Sequence, residues 1–359
     1  MKKKILFIHN FYPIIHGAAR IGDTIYTNDE IKINFDTKFI NTGLSSGSNE
    51  IGKFHIAKLL KFLKVLILLF YYRVFYNPDI YYTNFELQGN GMFLDYFRQL
   101  FVPKKKKIIH IHNKLNLKTK NNWIKYYVIK QSLKDSSIIV LSESLKSQFC
   151  DIKYKSIHVL SNGIEDSYDK KLKLSDDDSV KVLYCSNLFK YKGVFDLIKV
   201  VEILKKRKFE VELTIIGNEG DISFKKLTKH IVDSNLGDNI RLLGPLYGES
   251  KYIEFSKNNV FLYPSYYDSF PLVLLESLSF GIPIITYDIG GISDIVDDND
   301  CGFVLKKGAT EGLSEKLLHY IKDKDLLTKH SINARKKFES NYTLSVFTSN
   351  FIKILDNYN

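Results

Sequence analysis

Cysteine is scarce: Cys150, Cys185 and Cys301 are the only three in 359 residues. They are scattered and odd in number, which excludes a disulfide framework and fits no metal-ligand spacing, so a reducing compartment is expected. No His, Cys and Asp grouping has zinc-like spacing either. Long apolar runs are also missing. The most apolar stretch, 56–75, is interrupted by Lys58, Lys61, Lys64 and Arg73, and its longest uncharged piece is Val65 to Tyr72. A bilayer-spanning helix needs about 20 predominantly apolar residues, so none is expected. The opening Met1-Lys2-Lys3-Lys4, followed by Ile5 to Ile8, imitates a secretory leader, but the run stops at His9 and Asn10. That is too short for a leader, and a buried first strand is expected instead. There is no short-period repeat, no low-complexity tract and no G-x-G-x-x-G.

What is present suits two soluble α/β domains. Hydrophobic residues make up 45% and charged residues 26%, ordinary for a globular chain. The length exceeds one typical domain and allows two cores. The 25 Phe and 23 Tyr read first as core and surface filler, and second as membrane affinity. Charge is divided unevenly. Residues 1–164 hold 25 Lys+Arg against 11 Asp+Glu, a net +14, whereas residues 165–359 hold 27 against 29, a net −2. An acidic partner of the first half is implied: anionic lipid, a phosphorylated acceptor or nucleic acid.

Short apolar runs recur. In the first half they are Lys4–His9, Thr37–Asn41, Asp79–Thr83, Lys107–His112, Ser137–Leu141 and Ile157–Leu160. In the second half they are Val180–Cys185, Val211–Ile216, Ile240–Leu243, Val260–Tyr263, Pro283–Tyr287 and Gly302–Leu305. Continuous rather than alternating apolar character predicts strands buried on both faces of a parallel sheet. Helical patterns fall between many of them: His55–Tyr76, Asn122–Leu133, Val194–Lys206, Phe224–Ser234, Pro271–Phe280 and Thr310–Asp323. The alternation appears twice and predicts two doubly wound domains facing a cleft, over 1–164 and 180–339. A charged linker is expected at 165–179. The stretch Lys329–Tyr358 is helical in pattern, and a C-terminal helix at about 340–359 is expected to return to the first domain.

Ligands of such sheets bind outside the carboxyl ends of the strands, so the loops after strands carry the candidates. The strongest runs from Ser265 to Glu276. A strand ends at Pro264, and a helix is predicted with Ser269 or Phe270 as N-cap and Pro271 at its first position. Asp268 then precedes a helix N-terminus and Glu276 lies inside the helix. Carboxylates at both places can accept hydrogen bonds from sugar hydroxyls, and the helix N-terminus favours a diphosphate. The alternative is an ordinary N-terminal acid and an exposed mid-helix Glu, although an acid in so apolar a helix needs a partner. The second candidate is Ser186 to Gly193, where a lysine can neutralise a phosphate or simply be solvated. Asn10 to Arg20 after the first strand, His110 to Asn113 at a strand end, and Gly290 to Asp294 are weaker. Asp298-Asn299-Asp300 matches a metal-binding D-x-D in form, but a solvated turn is expected, as it is for Asp176 to Asp178.

In order and spacing these positions resemble the retaining glycosyltransferases of family four, which adopt the GT-B fold. Ser161-Asn162-Gly163-Ile164 is similar to the turn closing the family's first domain, and Ser186–Gly193 to its diphosphate loop. Asp268 and Glu276, with seven residues between, resemble its acid pair; Gly290–Asp294 resembles its double-glycine turn and Cys301-Gly302-Phe303 the strand after it. The resemblance implies that Glu276 holds the nucleotide ribose. Asp268 would hold donor-sugar hydroxyls, helped by the backbone N–H groups of Ser269 and Phe270. Lys192 would neutralise the leaving diphosphate, His112 would lie near the transferred sugar, and Gly17 would belong to a loop beside the phosphates. Three positions depart from the family: Asn187 stands for the usual arginine, with Lys190 a possible substitute cation; Asp268 is one methylene shorter than Glu; and Gly17-Ala18 replaces paired glycines.

The resemblance implies a retaining, metal-independent glycosyltransferase without a cofactor. It would move a sugar from a nucleotide-diphosphate donor, a UDP-sugar rather than a GDP-sugar, to a hydroxyl of a glycan or lipid-linked acceptor in bacterial cell-surface polysaccharide synthesis (capsule or lipopolysaccharide). The expected location is cytoplasmic and peripheral on the inner face of the cytoplasmic membrane, with Lys58, Lys61 and Lys64 on one helix face toward anionic lipid. Two rivals share some features. A non-hydrolysing sugar-nucleotide epimerase needs cleft carboxylates and histidines that have no place here. A non-catalytic basic protein binding membrane or nucleic acid suits the charge, but no nucleic-acid motif supports it.

Overall fold

Each of the twelve apolar runs forms a strand, and all pair in parallel. The computed structural model describes residues 1–11, 17–43, 56–89, 91–167 and 180–358. The chain divides into two units: residues 1–162 with 347–359, and residues 163–346. The residues 168–179 of the expected linker, including Asp176 to Asp178, and residues 12–16 of the N-terminal loop lie outside the described residues.

The first unit contains β1 (Lys4–His9), α1 (Gly17–Thr27), α2 (Asp29–Asn34), β2 (Asp36–Asn41), α3 (Ile56–Tyr71), β3 (Ile80–Asn84) and α4 (Gly91–Gln99). It continues with β4 (Lys107–Ile111), α5 (Leu117–Lys120), α6 (Trp123–Leu133), β5 (Ser137–Val140) and β6 (Ser156–Val159). The sheet order is β2-β1-β3-β4-β5-β6. Ile5 to Ile8, Ile108, Ile109, Ile138 and Ile139 are fully buried, as strands covered on both faces must be. Helix α3 reaches the sheet through Val65 and Leu69, which join Leu6, Ile8, Ile40, Tyr81 and Val102 in one cluster. It ends in a π-helical turn, Tyr72–Tyr76, closed by Asn77 in the left-handed region. Lys58 is half-buried while Lys61 and Lys64 are exposed, so the three lysines do not share one outward face. The outward face is apolar instead.

The second unit contains β7 (Lys181–Cys185), α7 (Val194–Lys206), β8 (Glu212–Ile216), α8 (Phe224–Asp233), β9 (Ile240–Gly244), α9 (Gly248–Ser256) and β10 (Val260–Tyr263). Then come α10 (Leu272–Ser279), β11 (Ile284–Tyr287), α11 (Ile292–Ile295), β12 (Gly302–Leu305), α12 (Thr310–Lys322) and α13 (Lys324–Asn341). Its sheet order is β12-β11-β10-β7-β8-β9. The last helix, α14 (Leu344–Asp356), belongs over most of its length to the first unit, where Phe351 meets Phe7 and Tyr82. The pattern predicted one helix from Lys329 to Tyr358. It breaks at Tyr342 because the backbone there pairs with the chain leaving the first unit: Ile164 N donates to Tyr342 O and Leu344 N to Ile164 O, at 3.0 and 2.9 Å.

Candidate functional site

In the second unit the sheet order reverses between β7 and β10, and ligands of open α/β sheets bind beyond the carboxyl ends at such a point. The chain after β7 turns through Lys190–Lys192, and Gly193 follows with φ +76°. A Cβ on Gly193 would stand 2.0 Å from Pro264 O. Only glycine fits that backbone and that gap, and the β7 loop is thereby laid against the end of β10.

The result is a tight polar group. Lys192 Nζ lies 2.7 Å from both carboxylate oxygens of Asp268. Tyr263 and Ser265 donate their hydroxyls to Asp268 Oδ2, at 2.7 and 2.8 Å. The pair is about 15% exposed on each side, Lys192 at 15% and Asp268 at 16%. Burial first, then the Asp268 charge, pushes the Tyr263 hydroxyl well above the usual phenol range, so it stays a donor. Gly290, at φ +57°, would put a Cβ 2.3 Å from Asp268 O, and Gly291 N donates to Ser269 O at 2.7 Å. The double-glycine turn after β11 therefore supports the backbone of the acid loop.

Helix α10 starts one residue later than the pattern predicts: Pro271, in extended conformation, is its N-cap residue. The helix N-terminus now begins four residues after Asp268, at Leu272. Glu276 is 4% exposed rather than an exposed mid-helix acid. Its Oε2 pairs with Lys251 Nζ of α9 at 2.7 Å. Burial first pushes the Cys185 thiol, at the end of β7, up to about 12, with Lys251 opposing and Glu276 reinforcing, and Tyr184 of the same strand donates its hydroxyl to Lys192 O at 3.3 Å.

The remaining candidates are distributed as follows. Asn187 and Lys190 are exposed on the β7 loop, and Lys190 N donates to Asp221 at 2.8 Å. Ser269 is half-buried and Phe270 is buried against Tyr342. Gly17 opens α1 in the first unit. His112, just past β4, belongs to a cluster: its Nε2 lies 3.4 Å from His9 Nε2, and its ring is 4.0 Å from that of His110. His110 in turn meets the Tyr82 hydroxyl at 2.5 Å. Burial first, then His9, holds His110 well below its ordinary value and keeps it neutral. Asp298 is a turn residue that accepts from Val304 N at 3.0 Å, with Asn299 in the left-handed region and Asp297 paired to Lys337.

Sequence reasoning missed Lys251 and Tyr263, and gave Ser265, the first residue of the strongest run, no role of its own. Lys251 sits on a nine-residue helix with no strong apolar stripe, 25 positions from its partner. The need of a buried Glu276 for a cation was the one available clue.

The family model for glycosyl transferases group 1 matches residues 166–337. The chain is 26% identical over 226 residues to the capsular polysaccharide biosynthesis glycosyltransferase CapM of Staphylococcus aureus, covering 62% of this chain and 56% of that protein. It is 22% identical over 357 residues to the poly(ribitol-phosphate) alpha-N-acetylglucosaminyltransferase of S. aureus, covering 96% of this chain and 71% of that protein. The chain spans about half the length, or less, of the first curated relatives it matches. Anabaena HepE in complex with UDP superimposes with a TM-score of 0.74 at 15% identity, covering 99% of each chain. The expected GT-B class of two doubly wound α/β domains is thus shared with solved structures. Over residues 166–337 the chain is similar to the glycosyl transferases group 1 family.

Proposed function

We propose that this protein is a retaining, metal-independent glycosyltransferase whose second unit holds a nucleotide-diphosphate sugar, UDP-linked rather than GDP-linked. The observation that carries this reading is the convergence of Lys192, Asp268 and the Lys251–Glu276 pair at the β7/β10 switch point. Glu276, fixed by Lys251, accepts hydrogen bonds from the ribose hydroxyls. Asp268 accepts from hydroxyls of the donor sugar. Lys192 and the N-terminus of α10 face the diphosphate, where positive charge lowers the cost of its departure. The acceptor hydroxyl oxygen bonds to the anomeric carbon as the bond to the diphosphate breaks, and its proton passes to the leaving phosphate. No protein nucleophile is required.

The preference for UDP is supported by solved relatives in complex with UDP. The names of relatives, a capsular polysaccharide biosynthesis glycosyltransferase and transferases of poly(glycerol-phosphate) and poly(ribitol-phosphate), support a glycan or lipid-linked acceptor in cell-surface polysaccharide assembly. The test is a mass-spectrometric screen of nucleotide sugars against lipid-linked and glycan acceptors, with the product's anomeric configuration assigned by NMR. One glycosylated product with the donor's configuration is expected. Donor isomerisation without an acceptor would replace this reading by the epimerase, and an inverted product would remove the retaining mechanism.

A further inference from the structure

The first unit has a switch point of its own. Its sheet order reverses between β1 and β3, so a ligand of this unit belongs beyond the carboxyl ends of those strands. Four rings meet near those ends: His9 ends β1, Tyr82 lies in β3, His110 lies in β4 and His112 follows β4. His9, Tyr82 and His110 are 1% exposed or less, whereas His112 is half-buried and reaches the surface. The His9 ring lies nearly parallel to that of Tyr82, at 6.1 Å, and edge-on to that of His112, at 5.5 Å.

Hydrogen bonds fix where the protons sit. His9 Nδ1 lies 3.0 Å from Asn10 O. A carbonyl oxygen only accepts, so Nδ1 carries the proton and Nε2 of the neutral ring is an acceptor. His112 Nε2, 3.4 Å from His9 Nε2, is then the donor. Burial pushes the Tyr82 hydroxyl well above the usual phenol range, so it stays a donor, to His110 Nδ1 at 2.5 Å. His110 therefore carries its own proton on Nε2. Helix α1 makes room for the His9 contact: a Cβ on Gly22 would stand 2.6 Å from His9 Nδ1 and 2.3 Å from Asn10 O. An apolar side chain at this buried strand end would cost less than an imidazole, whose polar atoms must each be answered.

We propose that His9 is a positioning residue for sugar transfer. By accepting the Nε2–H of His112 it holds that ring in one orientation and one tautomer, with Nδ1 as the one nitrogen of the neutral ring that can accept. Which nitrogen of a histidine is protonated is set by the hydrogen bond that its other nitrogen makes. A functional group on a loop needs such a brace to stay within about 0.5 Å of its working position. His112 is the member of the group that reaches the surface at the switch point. The proposal rests on the transferase reading above, in which the donor occupies the second unit and the acceptor falls to the first.

The experiment pairs a spectroscopic and a kinetic readout on the full chain. With isotope-labelled histidine, long-range proton–nitrogen correlation reads the tautomer of each ring, and His112→Gln assigns the signal. Wild-type His112 is expected as the single Nε2-protonated form. His9→Phe, which keeps a ring but removes the acceptor, gives a mixture, and His9→Gln, whose amide oxygen still accepts, keeps the single form. Transfer is assayed with the nucleotide sugar and acceptor selected by the mass-spectrometric screen. His9→Phe lowers kcat at least about tenfold with the donor KM within about twofold, and His9→Gln recovers most of the loss. Added to His112→Gln, His9→Phe costs nothing further, because the two residues act as one unit. A wild-type His112 protonated on Nδ1 overturns the proposal whether or not the variants fold. So does a His9→Phe protein with a lower unfolding temperature but native kcat, or a loss that multiplies with that of His112→Gln. Absence of any transfer removes the transferase reading and this proposal with it, whereas transfer indifferent to His9 removes this proposal alone.

Discussion

The two units are built from the same parts, six parallel strands wrapped by helices, yet they handle surface and charge in opposite ways. The second unit exposes few large apolar side chains among its described residues: Tyr191, Val232, Tyr247, Ile253 and Ile332, scattered singly. The first exposes more of them on α3, α4 and α6, among them Leu60, Ile67, Phe70, Phe97 and Trp123. Inside, the buried lysines differ too, although the first unit also holds a buried ion pair, Arg98 with Asp95 at 3.0 Å. The lysines brought under cover at the second unit's site each face a carboxylate, Lys192 with Asp268 and Lys251 with Glu276. The first unit buries Lys107, 1% exposed, against the neutral oxygens of Gln99 and Ser132 at 3.0 and 2.8 Å. Paired charge held off bulk water suits a site that must receive a charged ligand and exchange partners with it. Apolar surface suits attachment. On the function proposed above, the ligand chemistry would reside in the second unit.

The largest expected effect that can break this division is in the polar group at β7. Lys192→Ala removes the cation facing the diphosphate and leaves Asp268 without its ion-pair partner. A fall in kcat/KM of roughly 10²–10³-fold is expected, the range seen when one donor to a developing oxyanion is lost. Steady-state transfer assays check it. Turnover close to wild type would show that the second unit's paired charge is structural only. Thermal unfolding separates the cases, because a structural pair would lower the melting temperature without the same loss in rate.

Next in size is Glu276. Glu276→Ala deletes ribose hydrogen bonds and weakens nucleoside diphosphate binding by about 1–3 kcal/mol. It also strands Lys251, so Glu276→Gln, which keeps the shape, sharpens the reading. Calorimetry with UDP and GDP measures both. Equal affinity of wild type and both variants for either ligand would move the nucleotide away from α10.

A third test bears on the first unit's unpaired cation. Burial first, then Lys104, lowers Lys107 from 10.5 to about 7. Below about 7 the lysine is charged in both folded and unfolded chains. Between about 7 and 10.5 the unfolded chain holds the extra proton, so stability rises with pH across that window. Relative to Lys107→Met, the wild type should gain about 1.4 kcal/mol per pH unit between pH 8 and 9. Parallel denaturation profiles of the two proteins would mean that Lys107 keeps its proton through water or a carboxylate, and the contrast between the units would lose that support.

These contrasts were unevenly legible in the sequence. The strands were plain because a parallel sheet buried on both faces needs unbroken apolar runs, and Ile5 to Ile8 or Val260 to Tyr263 can be little else. The acids were found because they sit where a strand yields to a proline-started helix. Their partners were not, because an ion pair such as Lys251–Glu276 joins positions that no local period connects. Helices α4 and α9 were overlooked for a related reason: each has only nine residues, too few for a stripe to stand out. The single lysine face expected on α3 came from a true regularity. Lys58, Lys61 and Lys64 do recur every three residues, but at 3.6 residues per turn that spacing drifts around the helix. It carries Lys58 toward the sheet and leaves leucine, isoleucine and phenylalanine outward.

The smallest expected effect is none at all, and it concerns how the second unit manages charge. The family's loop arginine is Asn187 here, which leaves Lys192 and Lys190 as the cations of that loop. Lys192 is already held by Asp268. If a metal were needed to neutralise the diphosphate, a carboxylate pair free of lysine would be required to hold it, and both acids of the site are taken by lysines. Asp298 is occupied as a turn residue by Val304 N, so the D-x-D in form is not one in geometry. In the proposed mechanism, Asp268 would turn its hydrogen bonds from Lys192 to sugar hydroxyls as the donor enters, and the freed lysine would face the incoming negative charge of the diphosphate. Turnover in EDTA should therefore match turnover without it, within about twofold. Lys190→Ala should cost only a few-fold, since an exposed cation is screened by solvent. Complete loss of activity in EDTA, restored by Mg²⁺ or Mn²⁺, would show that the lysines do not carry the leaving-group charge and that the second unit's ion pairs have another purpose.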